Sequence, residues 1–263
     1  MNNKSPLRYP GGKTRACKII EDIVTEYIDI KNFDTLISPF FGGGSFEFFI
    51  QNKYGLQVEA NDKFGPLYTF WKTLKNDRKN LYNTVKKLKP ISKEQFATYR
   101  KSIMDEKDAL KQASHYFAIN RSSFSGATLS GGFSNESANK RFTESSINNL
   151  AKIDLSNINF YNLDFIDFLK LIPQTETSLL FLDPPYYLEE KSKLYGKDGD
   201  MHENFDHGTL FKLLNKRNNW ILCYNDCDYI RKLYKKYTIV DVNWNYGMNK
   251  TKKSSEILIL NFL

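Results

Sequence analysis

The sequence of 263 residues contains little cysteine and little histidine, with three residues of each. Cys17, Cys223 and Cys227 are an odd, sparse set without a Cys-x-x-Cys pair, which argues against a framework of disulfide bonds. The scarcity of cysteine and histidine ligands also argues against a zinc site or another metal centre. We therefore expect no bound metal and a reducing compartment, by default the cytoplasm.

Long apolar runs are missing as well. No run approaches the roughly 18 residues that would span a bilayer. The first residues, MNNKSPLRYPGGK, lack the apolar stretch of a signal peptide. We therefore expect neither a membrane anchor nor export. Hydrophobic residues make up 41% of the chain and aromatic residues 15%, which argues against disorder and supplies the core of one large domain, with or without an insertion.

The positive charge is concentrated in one segment. The formal net charge is +8, and residues 72–154 contain 16 Lys and Arg against 8 Asp and Glu. This segment therefore carries the whole excess, and the rest of the chain is neutral. A solvated helix surface would explain any single run of charges. The concentration of the entire excess favours a surface that faces nucleic-acid phosphates.

Apolar runs separated by helical segments predict a mostly parallel α/β sheet. Seven strands are predicted, at residues 33–40, 56–60, 158–162, 178–182, 220–224, 237–242 and 256–262. Parallel pairing follows from the strand–helix–strand units in which most of these runs occur. The last two strands have no helix between them, so we expect them to form an antiparallel hairpin at the edge of the sheet.

Residues 67–155 are predicted to be mostly helical, unlike the rest of the chain. Helices are predicted at residues 67–74, 81–88, 93–104, 109–119 and 144–153, the last with Thr143 as its cap. The polar, glycine-rich residues between Phe124 and Phe133 predict a hairpin or loop. We predict a catalytic domain made of residues 1–66 and 156–263, interrupted by a mostly helical insert at residues 67–155.

The sharpest motif is Asp183-Pro184-Pro185-Tyr186, directly after a predicted strand. Ligands of open α/β sheets bind beyond the carboxyl ends of the strands. The two prolines remove two amide donors, which leaves the Pro184 carbonyl beside the Asp183 carboxylate as a second acceptor. Two fixed acceptors suit the two hydrogens of an exocyclic amine, and Tyr186 supplies a flat face. A proline turn with an incidental Asp is the alternative.

A glycine-rich connection follows the first strand. The residues from Phe40 to Ser45, FFGGGS, open a helix that Ser45 could cap, and their glycines permit close approach to a ligand. Asp62 ends the next strand, where an acidic residue can accept both hydroxyls of a ribose. The loop lacks the GxGxxG spacing, which disfavours NAD among cofactors that contain adenosine.

Four motifs together resemble those of the Dam-like adenine-N6 DNA methyltransferases, in the order found in that family. They are RYPGGK at residues 8–13, FFGGGS, NRSSFSG at residues 120–126, and DPPY. The resemblance covers nearly the whole chain. It implies a Rossmann-like domain that binds S-adenosylmethionine, a target-recognition region in the basic insert, and an adenine that is flipped out of double-stranded DNA.

The resemblance also implies roles for individual residues. Lys13 would lie near the methionine carboxylate, Asp62 would hold the ribose, and Asp164 with Phe165 would contact the adenine, although a helix cap is the alternative for Asp164. The cofactor set is Tyr9, Gly12, Lys13, Phe40, Gly42, Gly44, Ser45, Asp62, Asp164 and Phe165, and the catalytic set is Asp183, Pro184, Pro185 and Tyr186. The DNA-binding set is Arg121, Ser122, Phe124 and Ser125.

Within the DNA-binding set, Arg121 would contact a phosphate or a guanine edge. Phe124 would insert between bases or, as the alternative, pack in the core. Ser125 stands where the family often has Asn, so the recognition sequence is not implied. Residues 187–202 predict either a mobile lid or a plain surface loop. Lys250, Lys252 and Lys253 would meet the DNA backbone or remain solvated.

Three other functions stay open on the sequence alone. The same chemistry could act on RNA or on the N4 amino group of cytosine. The chain could also be an idle homologue that only binds DNA. An NAD-dependent oxidoreductase would explain the glycine loop and Asp62 but neither DPPY nor the basic insert. Expected partners are double-stranded DNA and a cognate restriction endonuclease, with a monomer or weak dimer as the working form.

Overall fold

A computed structural model describes residues 3–9, 11–187, 205–242 and 256–262. Seven strands form one sheet in the order β3-β2-β1-β4-β5-β7-β6. Five strands are parallel, and β7 runs antiparallel to both β5 and β6. The predicted α/β class with an antiparallel edge pair is therefore confirmed. The strands are β1 (Thr35–Ser38), β2 (Gln57–Asn61), β3 (Ile158–Tyr161), β4 (Ser178–Leu182), β5 (Trp220–Asn225), β6 (Thr238–Val242) and β7 (Glu256–Asn261).

Five of the described helices accompany the sheet: α1 (Cys17–Thr25), α2 (Ser45–Tyr54), α9 (Phe165–Leu171), α10 (His207–Leu214) and α11 (Asp228–Leu233). Six more follow one another between β2 and β3: α3 (Gly65–Asn76), α4 (Arg78–Lys87), α5 (Lys93–Ser102), α6 (Ala109–Ser122), α7 (Asn135–Lys140) and α8 (Glu144–Lys152). Thr143 caps α8 as predicted, through a capping box with Ser146. The short, polar α7 has no apolar periodicity and was not predicted.

The sheet has an apolar core on each face because buried side chains alternate along its strands. In β4, Leu179 and Phe181 belong to one core, and Leu180 and Leu182 to the other. The first core continues into α3, where the ring of Trp71 stacks on Phe160 at 5.8 Å between centroids. The core is thus continuous across residue 66, and the division into a catalytic domain and an insert stays a prediction.

The strand order fixes where a ligand can bind. The central strand β1 pairs with β2 on one side and with β4 on the other. From β1 the chain continues to β2 on one side, and from β4 it continues to β5 on the other side. The loops at the carboxyl ends of β1 and β4 therefore diverge, and the crevice between them is the usual ligand site of such sheets.

Several predictions concern residues outside the described ranges. The predicted lid falls there except for Tyr187, and so do Pro10, Lys250, Lys252 and Lys253. Over the ranges that are described, no helix has the length and apolar character needed to cross a membrane. The same ranges contain no group of His, Cys, Asp and Glu side chains that could hold a metal ion.

Candidate active site

The connection after β1 is a glycine loop, residues 42–44, whose backbone requires glycine. Gly42 has φ of +50° and Gly44 has φ of +68°, a region that other residues rarely adopt. A Cβ atom on Gly42 would lie 2.8 Å from the ring of Tyr9. The ring of Tyr9 therefore covers the glycine loop, as expected if both belong to one site.

The helix after the glycine loop begins differently from the prediction. Gly44 is the N-cap of α2, and Ser45 is already the first helical residue. The prediction that Ser45 caps the helix is wrong, because the left-handed Gly44 turns the chain into the helix one residue earlier. The Ser45 hydroxyl instead lies 3.1 Å from that of Thr14.

Asp62 ends β2 beside the glycine loop. One carboxylate oxygen accepts a hydrogen bond from the Gly42 N–H at 3.0 Å, and the other accepts from the Phe64 N–H at 2.9 Å. Burial raises the pKa of Asp62 to about 6, and the two backbone hydrogen bonds oppose that rise. The Asp62 carboxylate is thus hydrogen-bonded to the glycine loop. Its predicted role, binding the hydroxyls of a ribose, stays a prediction.

Asn61, next to Asp62, joins three loops and was not predicted as a site residue. Its Nδ2 donates to the carbonyls of Pro39 and Leu163, both at 3.0 Å, and its Oδ1 accepts from the Leu163 N–H at 2.9 Å. The side chain is 1% exposed. A polar residue at the end of a buried strand, next to an expected ligand residue, was the available signal for this positioning role.

The connection after β3 brings two predicted cofactor residues to the same edge. Asp164 is the N-cap of α9, where it accepts from the Ile166 N–H at 3.0 Å, and it also pairs with Lys63 at 2.9 Å. The helix-cap interpretation of Asp164 therefore holds for its side chain. The ring of Phe165 lies 5.6 Å from that of Phe40, so these two predicted residues are adjacent.

Lys13 lies against the DPPY segment. Its Nζ donates to both carboxylate oxygens of Asp183 at 2.8 Å and to the Tyr186 hydroxyl at 2.9 Å. Lys13 is 3% exposed, whereas Asp183 is 23% exposed. The resemblance implied a place for Lys13 near the cofactor, which stays a prediction, and in the structure its ammonium group is paired with the carboxylate of DPPY.

Two further buried carboxylates interact electrostatically with this ion pair. Glu256 accepts a hydrogen bond from the Tyr186 hydroxyl at 2.8 Å and lies 3.9 Å from Lys13 Nζ. Glu47, from α2, accepts from the Ser38 hydroxyl at 2.6 Å, and burial raises the pKa of Glu47 to about 7. The sequence carried no motif for either residue, because each stands singly in an apolar segment.

The DPPY segment presents two acceptors next to each other. Pro184 is buried, and within the described part of the chain no group donates a hydrogen bond to its carbonyl. Pro185 follows and is partly exposed. The Pro184 carbonyl and the Asp183 carboxylate belong to adjacent residues, and their joint action on an amine substrate stays a prediction.

Phe124 lies at the base of the predicted recognition loop, next to the contacts that close it. An antiparallel bridge joins Ser123 to Phe133, and the Phe124 N–H donates to the Gly132 carbonyl at 2.9 Å, which closes the predicted loop. Phe124 is 68% exposed, so it is not a core residue. Ser125 has φ of +55°, the left-handed region that Asn tolerates better than Ser.

The other two predicted DNA-binding residues differ from Phe124: Arg121 is partly exposed and bound to backbone carbonyls, and Ser122 is buried. Arg121 donates from Nε to the Arg141 carbonyl at 2.8 Å and from a terminal nitrogen to the Pro6 carbonyl at 3.3 Å. Burial lowers the pKa of Arg121 to about 10, and the charges of Arg8 and Arg141 lower it further. Ser122 has no exposed surface, so its side chain does not reach DNA in this conformation.

Asn120 connects the recognition segment to the site. Its Oδ1 accepts from the Arg8 N–H at 2.9 Å, and its Nδ2 donates to the Arg8 carbonyl at 2.6 Å. The next residue, Tyr9, lies on the glycine loop, and Lys13 lies on Asp183. Arg8, Tyr9 and Lys13 thus link the predicted recognition segment to the glycine loop and to DPPY.

Comparisons with known proteins agree with this geometry. Residues 9–248 match the family model described as D12 class N6 adenine-specific DNA methyltransferase. The chain is also similar to the Type II methyltransferase M.MjaIII of Methanocaldococcus jannaschii, with 24% identity over an alignment of 292 positions that covers both chains completely.

Proposed function

Because the chain belongs to the family of D12 class N6 adenine-specific DNA methyltransferases, we propose that it moves a methyl group from S-adenosylmethionine to an adenine N6 amino group in double-stranded DNA. One observation carries the finer proposal. The segment from Asp183 to Tyr186 leaves β4 beside the glycine loop that leaves β1, and the two strands are parallel neighbours. A cofactor on the glycine loop would therefore lie next to a base on DPPY.

The residues at this edge of the sheet fit S-adenosylmethionine. The glycine loop, covered by the Tyr9 ring, leads into the start of α2, where the helix dipole favours a carboxylate such as that of the methionine moiety. Each oxygen of Asp62 accepts one backbone N–H and retains a lone pair for a ribose hydroxyl. The neighbouring rings of Phe40 and Phe165 offer flat apolar surface to an adenine.

Cofactor affinity should fall as the pH drops through the pKa of Asp62. Burial raises that pKa to about 6, so the carboxylate is ionised above this pH and accepts two hydroxyls, whereas protonation below it removes an acceptor. From pH 7.5 to 5.5 the ionised fraction falls about fourfold, and the dissociation constant should rise by the same factor. Isothermal titration calorimetry with S-adenosylmethionine measures this directly.

Substitution of Asp62 separates its contribution from that of other titrating groups. Asp62→Asn should weaken cofactor binding by roughly 10- to 100-fold at pH 7.5, the effect of losing hydrogen bonds to a charged acceptor. The fourfold pH dependence should disappear in this variant. The control is Asp22→Asn, a change at an exposed residue of α1. An unchanged pH dependence in Asp62→Asn would contradict the assignment.

In the proposed reaction, the groups of the DPPY segment bind the adenine and hold its amino group. S-adenosylmethionine, when bound, supplies a methyl group that its sulfonium makes electrophilic. The Asp183 carboxylate and the Pro184 carbonyl accept the two N6 hydrogens, which draws the nitrogen towards tetrahedral geometry and directs its lone pair out of the ring plane. The negative charge of Asp183 stabilises the positive charge that develops on nitrogen before a proton leaves. Tyr186 stacks on the base.

The helices between β2 and β3 supply the proposed DNA surface. The whole excess positive charge of the chain lies in residues 72–154, which include most of these helices. The exposed ring of Phe124 projects from the same region. An apolar side chain that enters the base stack would lower the cost of turning out an adenine, which is a few kcal/mol.

Phe124→Ala should raise the KM for unmethylated genomic DNA roughly tenfold, because stacking on one base contributes about 1–3 kcal/mol. The stability of the protein should not change, since the side chain is 68% exposed. Met104→Ala, at a 46% exposed residue of the same basic region, is the matched control. If both variants behave like the wild type in steady-state transfer, the role of Phe124 in DNA binding is wrong.

The function as a whole is tested by transfer from labelled S-adenosylmethionine to unmethylated genomic DNA, with the product digested to nucleosides. Label in N6-methyladenine is the expected result. Label in N4-methylcytosine would keep the fold and mechanism and replace the target base. Absence of label, with cofactor binding intact, would redirect the proposal to RNA or a missing partner. Absence of cofactor binding as well would indicate an idle homologue.

A further inference from the structure

Glu256 reaches the catalytic edge of the sheet because β7 is antiparallel. It is the first residue of β7 and pairs in register with Asn225, the last residue of β5. The first residue of an antiparallel strand lies at the carboxyl end of its parallel neighbours. Glu256 is 3% exposed, although the four residues that follow it are all apolar.

The carboxylate of Glu256 completes a chain of hydrogen bonds behind DPPY. The Tyr186 hydroxyl accepts from Lys13 Nζ at 2.9 Å and donates its single hydrogen to Glu256 at 2.8 Å. Lys13 also donates to both oxygens of Asp183, at 2.8 Å. One buried cation therefore lies between two carboxylates, and the Tyr186 hydroxyl is held on both sides. Buried charges of this kind are tolerated only when they are paired.

We propose that Glu256 is a positioning residue for the methyl transfer, acting through the Tyr186 hydroxyl and Lys13 on the Tyr186 ring and the Asp183 carboxylate. This inference rests on the proposed function. A tyrosine ring held only by packing can tilt, whereas the two hydrogen bonds to its hydroxyl fix the face that receives the base. Small displacements of reacting groups matter, since about 1 Å can cost 10²-fold in rate.

Glu256→Ala should lower kcat by roughly 10- to 100-fold, while the KM values for DNA and cofactor stay within about threefold. Glu256→Gln should lose less than about fivefold, because the amide oxygen still accepts the Tyr186 hydrogen bond. Glu176→Ala, at an exposed turn residue, is the matched control. Thermal melting establishes that each variant folds, and Glu256→Gln serves for the comparison if Glu256→Ala does not.

A double-mutant cycle distinguishes positioning from a general structural role. Tyr186→Phe keeps the ring and removes the hydroxyl, so in that background Glu256→Ala should change kcat by less than about threefold. An equal loss of kcat in both backgrounds would show that Glu256 does not act through Tyr186. A kcat of Glu256→Ala equal to that of the wild type would overturn the inference outright.

A readout without DNA or cofactor keeps this inference distinct from the proposed function. In protein labelled with ¹³Cζ-tyrosine, Tyr186→Phe identifies the Tyr186 resonance by its absence. Glu256→Ala should shift that resonance, and an unshifted resonance would overturn the inference. If the resonance shifts in Glu256→Ala but the wild-type protein transfers no methyl group, the proposed function is overturned, and the positioning role of Glu256 in methyl transfer with it.

Discussion

Replacing Asp183 with Asn should lower the rate of methyl transfer about 10³-fold, the loss typical of removing a group that stabilises charge in the transition state. Asn has nearly the same shape, but it carries no charge and offers one acceptor oxygen instead of two. Lys13, which donates to both oxygens of Asp183, would keep one of these two hydrogen bonds and lose the opposite charge beside it. Single-turnover kinetics with labelled S-adenosylmethionine give the rate.

Cofactor binding by Asp183→Asn should stay within about threefold of the wild type, because the residues proposed to contact the ribose and the adenine lie on other loops. Calorimetry with S-adenosylmethionine checks this. Asp167→Asn is the matched control, at a 67% exposed position of α9. Retention of more than about a tenth of the wild-type rate would mean that Asp183 is not the principal acceptor for the amine hydrogens.

The sheet could be predicted from the sequence because its signals are local. Apolar runs of strand length, followed by glycine, Asn-Asp or DPPY, mark strands whose carboxyl ends meet at one edge. The antiparallel pair followed from the sequence between the last two predicted strands, in which no helix was predicted. The bounds were less accurate: a strand was predicted at residues 33–40, whereas β1 ends at Ser38, since Pro39 has no amide hydrogen to donate.

The partners of the charged residues could not be predicted, because they depend on contacts between distant parts of the chain. Lys13 and Asp183 are 170 positions apart, and Tyr186 and Glu256 are 70 apart. A glutamate before an apolar run reads in sequence as an exposed strand end. Only the antiparallel register of β7 places Glu256 behind DPPY.

The backbone contacts of Arg121 and the burial of Ser122 could not be predicted from the sequence for a similar reason. Both residues stand in a polar motif, but α6 turns them towards the N-terminal segment and the interior. The same packing leaves Phe124, an apolar residue, on the surface. In a recognition segment the usual relation between polarity and exposure is thus reversed, and the exposed apolar side chain is the stronger functional signal.

Gly44→Ala should lower the free energy of unfolding by about 2–5 kcal/mol. The left-handed backbone at Gly44 costs any other residue about 1–2 kcal/mol, and overpacking adds about 1–3 kcal/mol. A Cβ atom there would lie 2.4 Å from the Phe41 ring and 2.9 Å from the Phe48 ring. Phe41 cannot move aside, because its ring packs against Phe48 and Trp71 in the core. Denaturant titration measures the change.

Gly55→Ala separates the two contributions to that cost. Gly55 ends the same helix, α2, with φ of +77°, and a Cβ atom there would have no neighbour within 4 Å. This control should lose only the backbone contribution of about 1–2 kcal/mol and should bind S-adenosylmethionine like the wild type. Gly44→Ala should also weaken cofactor binding, because a displaced Phe41 distorts the glycine loop. Equal losses of stability in the two variants would mean that the Phe41 ring moves aside without cost. Only the left-handed backbone conformation would then require glycine at position 44.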